Sequence, residues 1–135
     1  MSNHAIIHTD GGARGNPGPA AIGVVIELNG TTHRFKECIG ETTNNQAEYR
    51  AVILALEKAV TLGASEIDIF LDSELVQQQL SGNYKVKNKD LAPLFVKVWN
   101  LSQQFKRVKY THVRREDNKL ADKLVNQALD DKKTG

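Results

Sequence analysis

Asn29-Gly30 stands between two runs of β-forming residues, and that arrangement leaves few folds open. Two adjacent residues that tolerate positive φ favour the two-residue hairpin turn whose twist matches that of paired strands. Residues 20–28 and 31–39 therefore read as neighbouring antiparallel strands. A Gly/Pro-rich turn over 11–18 precedes them, and an apolar strand over 4–9 precedes the turn. The first third of the chain is expected to be a three-stranded meander.

The periodicity changes at Thr43. Gln46, three residues on, completes a capping-box pattern. Apolar residues at Ala47, Ala51, Leu54, Ala55 and Leu62 follow with helical spacing, and Gly63 ends the run. Residues 66–71 read as a short strand. Residues 73–80 read as a short helix broken by Ser81-Gly82-Asn83. A helix over 90–105 tolerates Pro93 in its first turn. Residues 106–113 alternate as a strand, 118–129 form the last helix, and 130–135 read as a frayed end. The order β-β-β-α-β-α-α-β-α implies an α/β fold: a five-stranded mixed sheet, three strands antiparallel and then parallel ones, flanked by helices. One domain is expected over 1–130, with a short flexible tail at 131–135. A strand after a long helix pairs in parallel with the first through a crossover. Asp10 and Asp72 then leave the carboxyl ends of adjacent strands, where such sheets place ligands.

Four acids occupy marked local settings: Asp10 in TDGGARGNPGPAAIG, Glu48 in TNNQAEY, Asp72 after IDIFL, and Asp122 in DNKLADKLV. Any one alone is an ordinary solvated acid. Glu48 differs in sharing a helix face with Val52, Ala55 and Ala59, so it points towards the sheet. Clustered carboxylates raise one another's pKa and persist where a cation compensates them. Oxygen ligands without Cys or paired His select Mg²⁺, or Mn²⁺, over Zn²⁺. Two such ions roughly 3.5–4 Å apart can activate water and stabilise a leaving oxygen, so the acids point to phosphodiester cleavage. The segment Gly11 to Gly18 lacks a P-loop Gly-Lys-Ser/Thr ending and leads into a strand, so it is no nucleotide cradle. Small residues beside Asp10 let a backbone approach closely. Asn44, Asn45 and Gln46 either cap the helix or offer amides to a ribose 2′-OH.

At 135 residues the chain can bury a core without staples. Its lone Cys38 has no intrachain partner, which fits a reducing compartment. A polar start, MSNHA, and the lack of a long apolar run imply no membrane span, and a cytoplasmic protein is expected. No obligate protein partner is evident, so a monomer is expected. The net charge of +2 decides little. Lys85, Lys87 and Lys89 interleave with Tyr84 and Val86, as either a solubilising surface or a phosphate-attracting loop.

Over nearly its full length the chain resembles the type 1 ribonuclease H family. TDGGARGNPGPAAIG is similar to the family's first-strand motif with its catalytic acid, here Asp10. TNNQAEYRAVILAL resembles the helix motif carrying Glu48, DSELV carries Asp72, and DNKLADKL carries Asp122. The resemblance implies a ribonuclease H-like fold and a two-metal endonuclease, holding Mg²⁺ on Asp10, Glu48, Asp72 and Asp122. It implies cleavage of the RNA strand of an RNA/DNA hybrid duplex to 5′-phosphate and 3′-hydroxyl ends. It also implies substrate contacts from Gly11, Gly12, Asn44, Asn45 and Gln46, with Asn16 and Ser73 placed like further contacts. Ala13 and Arg14 belong to the same expected binding segment.

The chain departs from the family pattern twice. Many members insert a basic helix after the second helix. Here SGNYKVKNKDL follows at once, so the basic protrusion is absent, and Lys85, Lys87, Lys89 and Arg14 are expected to supply phosphate attraction. Many members also carry HV-x-GH before the fourth acid, with a catalytic His on a mobile loop. Here the text is His112-Val113-Arg114-Arg115-Glu116-Asp117-Asn118. Arg115 is expected as the auxiliary residue, with His112 as the alternative. By alternation with Val108 and Tyr110, His112 is otherwise expected to be structural.

Overall fold

The computed structural model describes residues 3–134. Strand β1 (His4–Ala13) pairs antiparallel with β2 (Gly18–Leu28), and β2 with β3 (Thr31–Thr42). Asn29 and Gly30 take φ of 50° and 79°, so the hairpin forms as the dipeptide requires. Helix α1 (Asn44–Thr61) follows, then β4 (Glu66–Leu71), α2 (Glu74–Leu80), α3 (Ala92–Ser102), β5 (Arg107–His112), a 3₁₀ turn (Arg115–Asp117) and α4 (Lys119–Thr134). The sheet order is β3-β2-β1-β4-β5, with β4 parallel to both β1 and β5. The expected five-stranded mixed sheet is what forms.

Alternation along β2 sorts the two sheet faces. Val24, Ile26 and Leu28 join α1 residues Tyr49, Val52 and Leu56 in the main core. Ala21 instead meets Val125, Ala128 and Leu129 of α4, with Cys38 alongside. Gly23 belongs to this second face. A Cβ there would lie 2.5 Å from the Ala121 carbonyl oxygen, so the missing side chain lets α4 sit directly on the strand.

Three local expectations are corrected. Helix α3 begins at Ala92 rather than residue 90, because the Asn88 side chain accepts from the Asp90 and Leu91 N–H groups and holds a turn there. It ends at Ser102. Helix α4 runs to Thr134, past the expected end at Leu129. Asp130 pairs with Arg14 at 2.7 Å and Asp131 with Lys36 at 3.0 Å, tying the last turns to the sheet side. Residues 131–134 of the expected tail are thus helical, and Gly135 lies outside the described residues. Among the described residues, no helix is long and apolar enough to cross a membrane.

Candidate active site: an acidic cleft at the strand ends

The parallel pairing of β1 and β4 brings Asp10 and Asp72 to the same end of the sheet. Helix α1 enters over that end. Its N-cap, Thr43, accepts from the Gln46 N–H at 3.2 Å. The capping box is only half formed, since the Gln46 carbonyl oxygen takes the Thr42 hydroxyl instead of reaching back to the cap. Two asparagines fasten the helix start to the loop after β1. Asn16 Oδ1 accepts from the Asn44 N–H at 3.0 Å, and Asn44 Oδ1 accepts from the Ala13 N–H at 2.8 Å.

This fastening sets Glu48 one turn inside the helix and against β1. Its Oε1 accepts from the Gly11 N–H at 3.0 Å. Gly11 is required here: a Cβ would lie 2.3 Å from the Ala47 carbonyl carbon and oxygen. The backbone that closely approaches the small residues after Asp10 is therefore the chain's own helix.

Asp10, Glu48 and Asp72 each offer a carboxylate oxygen within 4.8 Å of the others. Asp10 and Glu48 are buried, at 5% and 6% exposure, while Asp72 and Asp122 are half-buried. Burial pushes the Asp10 carboxyl up to about 7. The Asp72 and Asp122 charges push the same way, against the neighbouring Glu48 carboxyl, which pulls it down. Burial and then the Asp10 charge hold Glu48 well above the carboxylate range, with the Gly11 N–H pulling it back. Without a cation, both acids hold their protons to higher pH than an ordinary carboxyl does. Glu48 Oε2 is buried with no protein partner. An all-oxygen set with one unpartnered buried carboxylate oxygen and strained charge fits a hard divalent cation.

The acids line an open cleft of about 320 Å³ with Gly11, Gly12, Ala13, Arg14, Asn44, Asn45, Ser73 and Arg115. Most of the expected site residues thus converge. Gln46 is turned to Thr42, and Asn16 to the helix start. The N–H groups of Gly11 and Ala13 are taken by Glu48 and Asn44, so these two cannot also donate to a substrate. Lys85, Lys87 and Lys89 are exposed on the segment between α2 and α3 and do not line the cleft.

The two candidates for the auxiliary role separate. Arg115 sits on the cleft wall. Val108 and Tyr110 are half-buried as the alternation requires, but His112 at the end of β5 is exposed, so the expected packing role for it is corrected. Sequence reading passed over Asn118, which is 1% exposed and donates to Asp72. Its signal was present only as a helix-start residue four before Asp122.

A family model described as "Reverse transcriptase-like" matches residues 8–128. A Mycobacterium tuberculosis protein described as bifunctional is 46% identical over 128 residues, covering 93% of this chain and 35% of that protein. Ribonuclease HI of Halobacterium salinarum is 44% identical, covering 90% of this chain and 62% of its own length. The chain thus spans about a third of the first of these curated relatives. The crystal structure of LC11 ribonuclease H1 in complex with an RNA/DNA hybrid superposes with TM-score 0.89 at 46% identity, covering 94% of this chain and 97% of that one. With its β3-β2-β1-β4-β5 sheet, its acids at the strand ends and a family match over most of its length, this chain belongs to the type 1 ribonuclease H family.

Proposed function

We propose that this chain is a metal-dependent endoribonuclease that cuts the RNA strand of RNA/DNA hybrids. The observation that carries the reading is the acidic cleft itself, in which acids from β1, α1, the end of β4 and α4 face Asn44 and Asn45 across one opening. The hybrid-bound relative supports the substrate class. Asp10, Glu48, Asp72 and Asp122 would hold two Mg²⁺ ions, with Mn²⁺ able to substitute. When bound, such ions activate water and stabilise the leaving oxygen of an in-line displacement. The attacking water oxygen bonds to phosphorus, and the bond to the 3′-oxygen breaks. The products are a 5′-phosphate and a 3′-hydroxyl.

The chain's own residues bind and orient. Asn44 and Asn45 are exposed on the cleft wall, and their amides would bind a ribose 2′-OH, the group by which RNA is told from DNA. Ser73 and Arg14 line the same opening. Arg115 would neutralise charge at the scissile phosphate, since its cationic guanidinium presents a planar fork of donors that suits phosphate oxygens. The protein is proposed to act as a cytoplasmic monomer.

The test is cleavage of matched RNA/DNA, RNA/RNA and DNA/DNA duplexes, with Mg²⁺, with Mn²⁺ and with chelator. The RNA strand of the hybrid should be cut in the presence of either ion, and chelation should stop it. Equal cutting of DNA/DNA would overturn the substrate class.

Arg115→Ala should lower turnover by about tenfold, the scale of one lost charge contact of roughly 1.4 kcal/mol, with little change in Tm. His112→Ala should shift stability by no more than about 0.5 kcal/mol, as for other exposed positions. Turnover lost by His112→Ala and kept by Arg115→Ala would reverse the assignment.

Replacing Lys85, Lys87 and Lys89 together by Ala should raise KM and flatten its salt dependence. Each neutralised phosphate contributes about 0.9 to the log–log slope on B-DNA. An unchanged slope would make these lysines a solvated surface.

A further inference from the structure

We infer that Asn118 is a positioning residue for Asp72, fixing how that carboxylate is presented to a divalent cation. The inference rests on the metal-dependent reading above. Asn118 stands between the 3₁₀ turn and α4. Its N–H donates to the Arg115 carbonyl at 3.0 Å, and its carbonyl accepts from the Asp122 N–H at 3.1 Å. One residue therefore joins the turn carrying Arg115 to the helix carrying Asp122. Its side chain is buried, and both amide N–H bonds are used. Nδ2 donates to the Thr9 carbonyl at 2.8 Å and to Asp72 Oδ2 at 3.1 Å. Thr9 immediately precedes Asp10. The amide thus lies between the strand end bearing Asp10, the strand end bearing Asp72 and the helix start bearing Asp122.

The chemistry of an amide suits that place. The terminal torsion of an aspartate is broad and two-fold, so a carboxylate left alone samples many orientations. A donor on Oδ2 selects one of them and leaves Oδ1 with its lone pairs open. A Lys or Arg here would also bind Asp72, but its charge would cancel the acid's and oppose a cation. The neutral amide orients the carboxylate without neutralising it. Asn118 Oδ1 is buried and has no protein partner. An orientation that leaves a polar atom unpaired is dictated by the other end of the group, here the two Nδ2 bonds.

Two substitutions separate positioning from the residue's preference for a helix start. Asn118→Ala removes the amide and lowers that preference. Asn118→Ser keeps a side chain that starts helices well but loses the reach to Asp72. The full chain is titrated with Mn²⁺ alone, by calorimetry and by the metal-induced rise in Tm. Asn118→Ser and Asn118→Ala should each weaken Mn²⁺ binding by about 10–100-fold, the usual loss when a ligand's supporting hydrogen bond is removed. On an Asp72→Asn background, Asn118→Ser should change Mn²⁺ binding by less than about twofold, because it acts through Asp72. On hybrid, kcat should fall with KM little changed. Mn²⁺ binding by Asn118→Ser within about twofold of the parent protein, or an undiminished loss on the Asp72→Asn background, would overturn the assignment. The Mn²⁺ cycle is read without substrate. A protein that passes it yet cuts no hybrid would refute the proposed activity and leave Asn118 in its place.

Discussion

Glu48→Gln is expected to melt higher than the parent protein at pH 7 without metal, and to lose at least about 10²-fold in hybrid cleavage, the scale of a lost metal contribution of several kcal/mol. Gln keeps an oxygen to accept from Gly11, and its N–H₂ can donate to Asp10 where two acids now compete. The sign follows from the protonated form. The folded protein holds Glu48 above its ordinary value of 4.5, so its stability is complete below that pH and falls as pH rises through it. Asp10 adds to the fall between 3.8 and about 7. The two proteins should therefore melt alike near pH 4 and diverge towards pH 7. A gain of about 1 kcal/mol moves Tm by roughly 3–5 °C in a chain of this length. Mg²⁺ should close the gap by stabilising the parent protein more, since cation binding displaces the retained protons. The measurement is a set of melting curves from pH 4 to 8, with Mg²⁺ and with chelator. A lower Tm for Glu48→Gln at pH 7 in chelator would remove the argument that the acid cluster is strained when empty of cations.

Gly11→Ala should damage stability and activity together. The added Cβ meets backbone at 2.3 Å, on the Ala47 carbonyl, and 2.6 Å, on the Glu48 nitrogen. No side-chain rotation can relieve contacts with main-chain atoms, so α1 must retreat from β1 as a unit. Overpacking of this kind costs about 1–3 kcal/mol and occasionally more. The retreat would also stretch the 3.0 Å bond from Gly11 to Glu48 and part Glu48 from Asp10. Turnover should fall even in the fraction that stays folded, and extra Mg²⁺ should restore it incompletely. Gly12→Ala is the matched control for stability. Its Cβ would meet Val125 Cγ1 at 3.6 Å, an ordinary contact. If Gly11→Ala melts like Gly12→Ala, α1 is not held against β1 as closely as these distances require.

The elements were legible because their signals are short-range. Asn29-Gly30 made its hairpin, Thr43 capped its helix, and the strand over 66–71 formed with the expected bounds. The acids could be named from the sequence, since each stands beside a strand end or helix start that can be read within a few residues. What joins them could not be read that way. The Gly11–Glu48, Ala13–Asn44 and Asn118–Asp72 hydrogen bonds span 37, 31 and 46 residues. Nothing in the local text of Gly11 says that a helix will lie against it, or in that of Asn118 that its amide will face an aspartate. Register and helix docking decided those pairs. So the sequence determined which groups could do the chemistry, through local periodicity and capping. Only the tertiary structure decided which protons those groups keep and which amide steadies them, because burial and charge coupling exist only once distant segments are packed together.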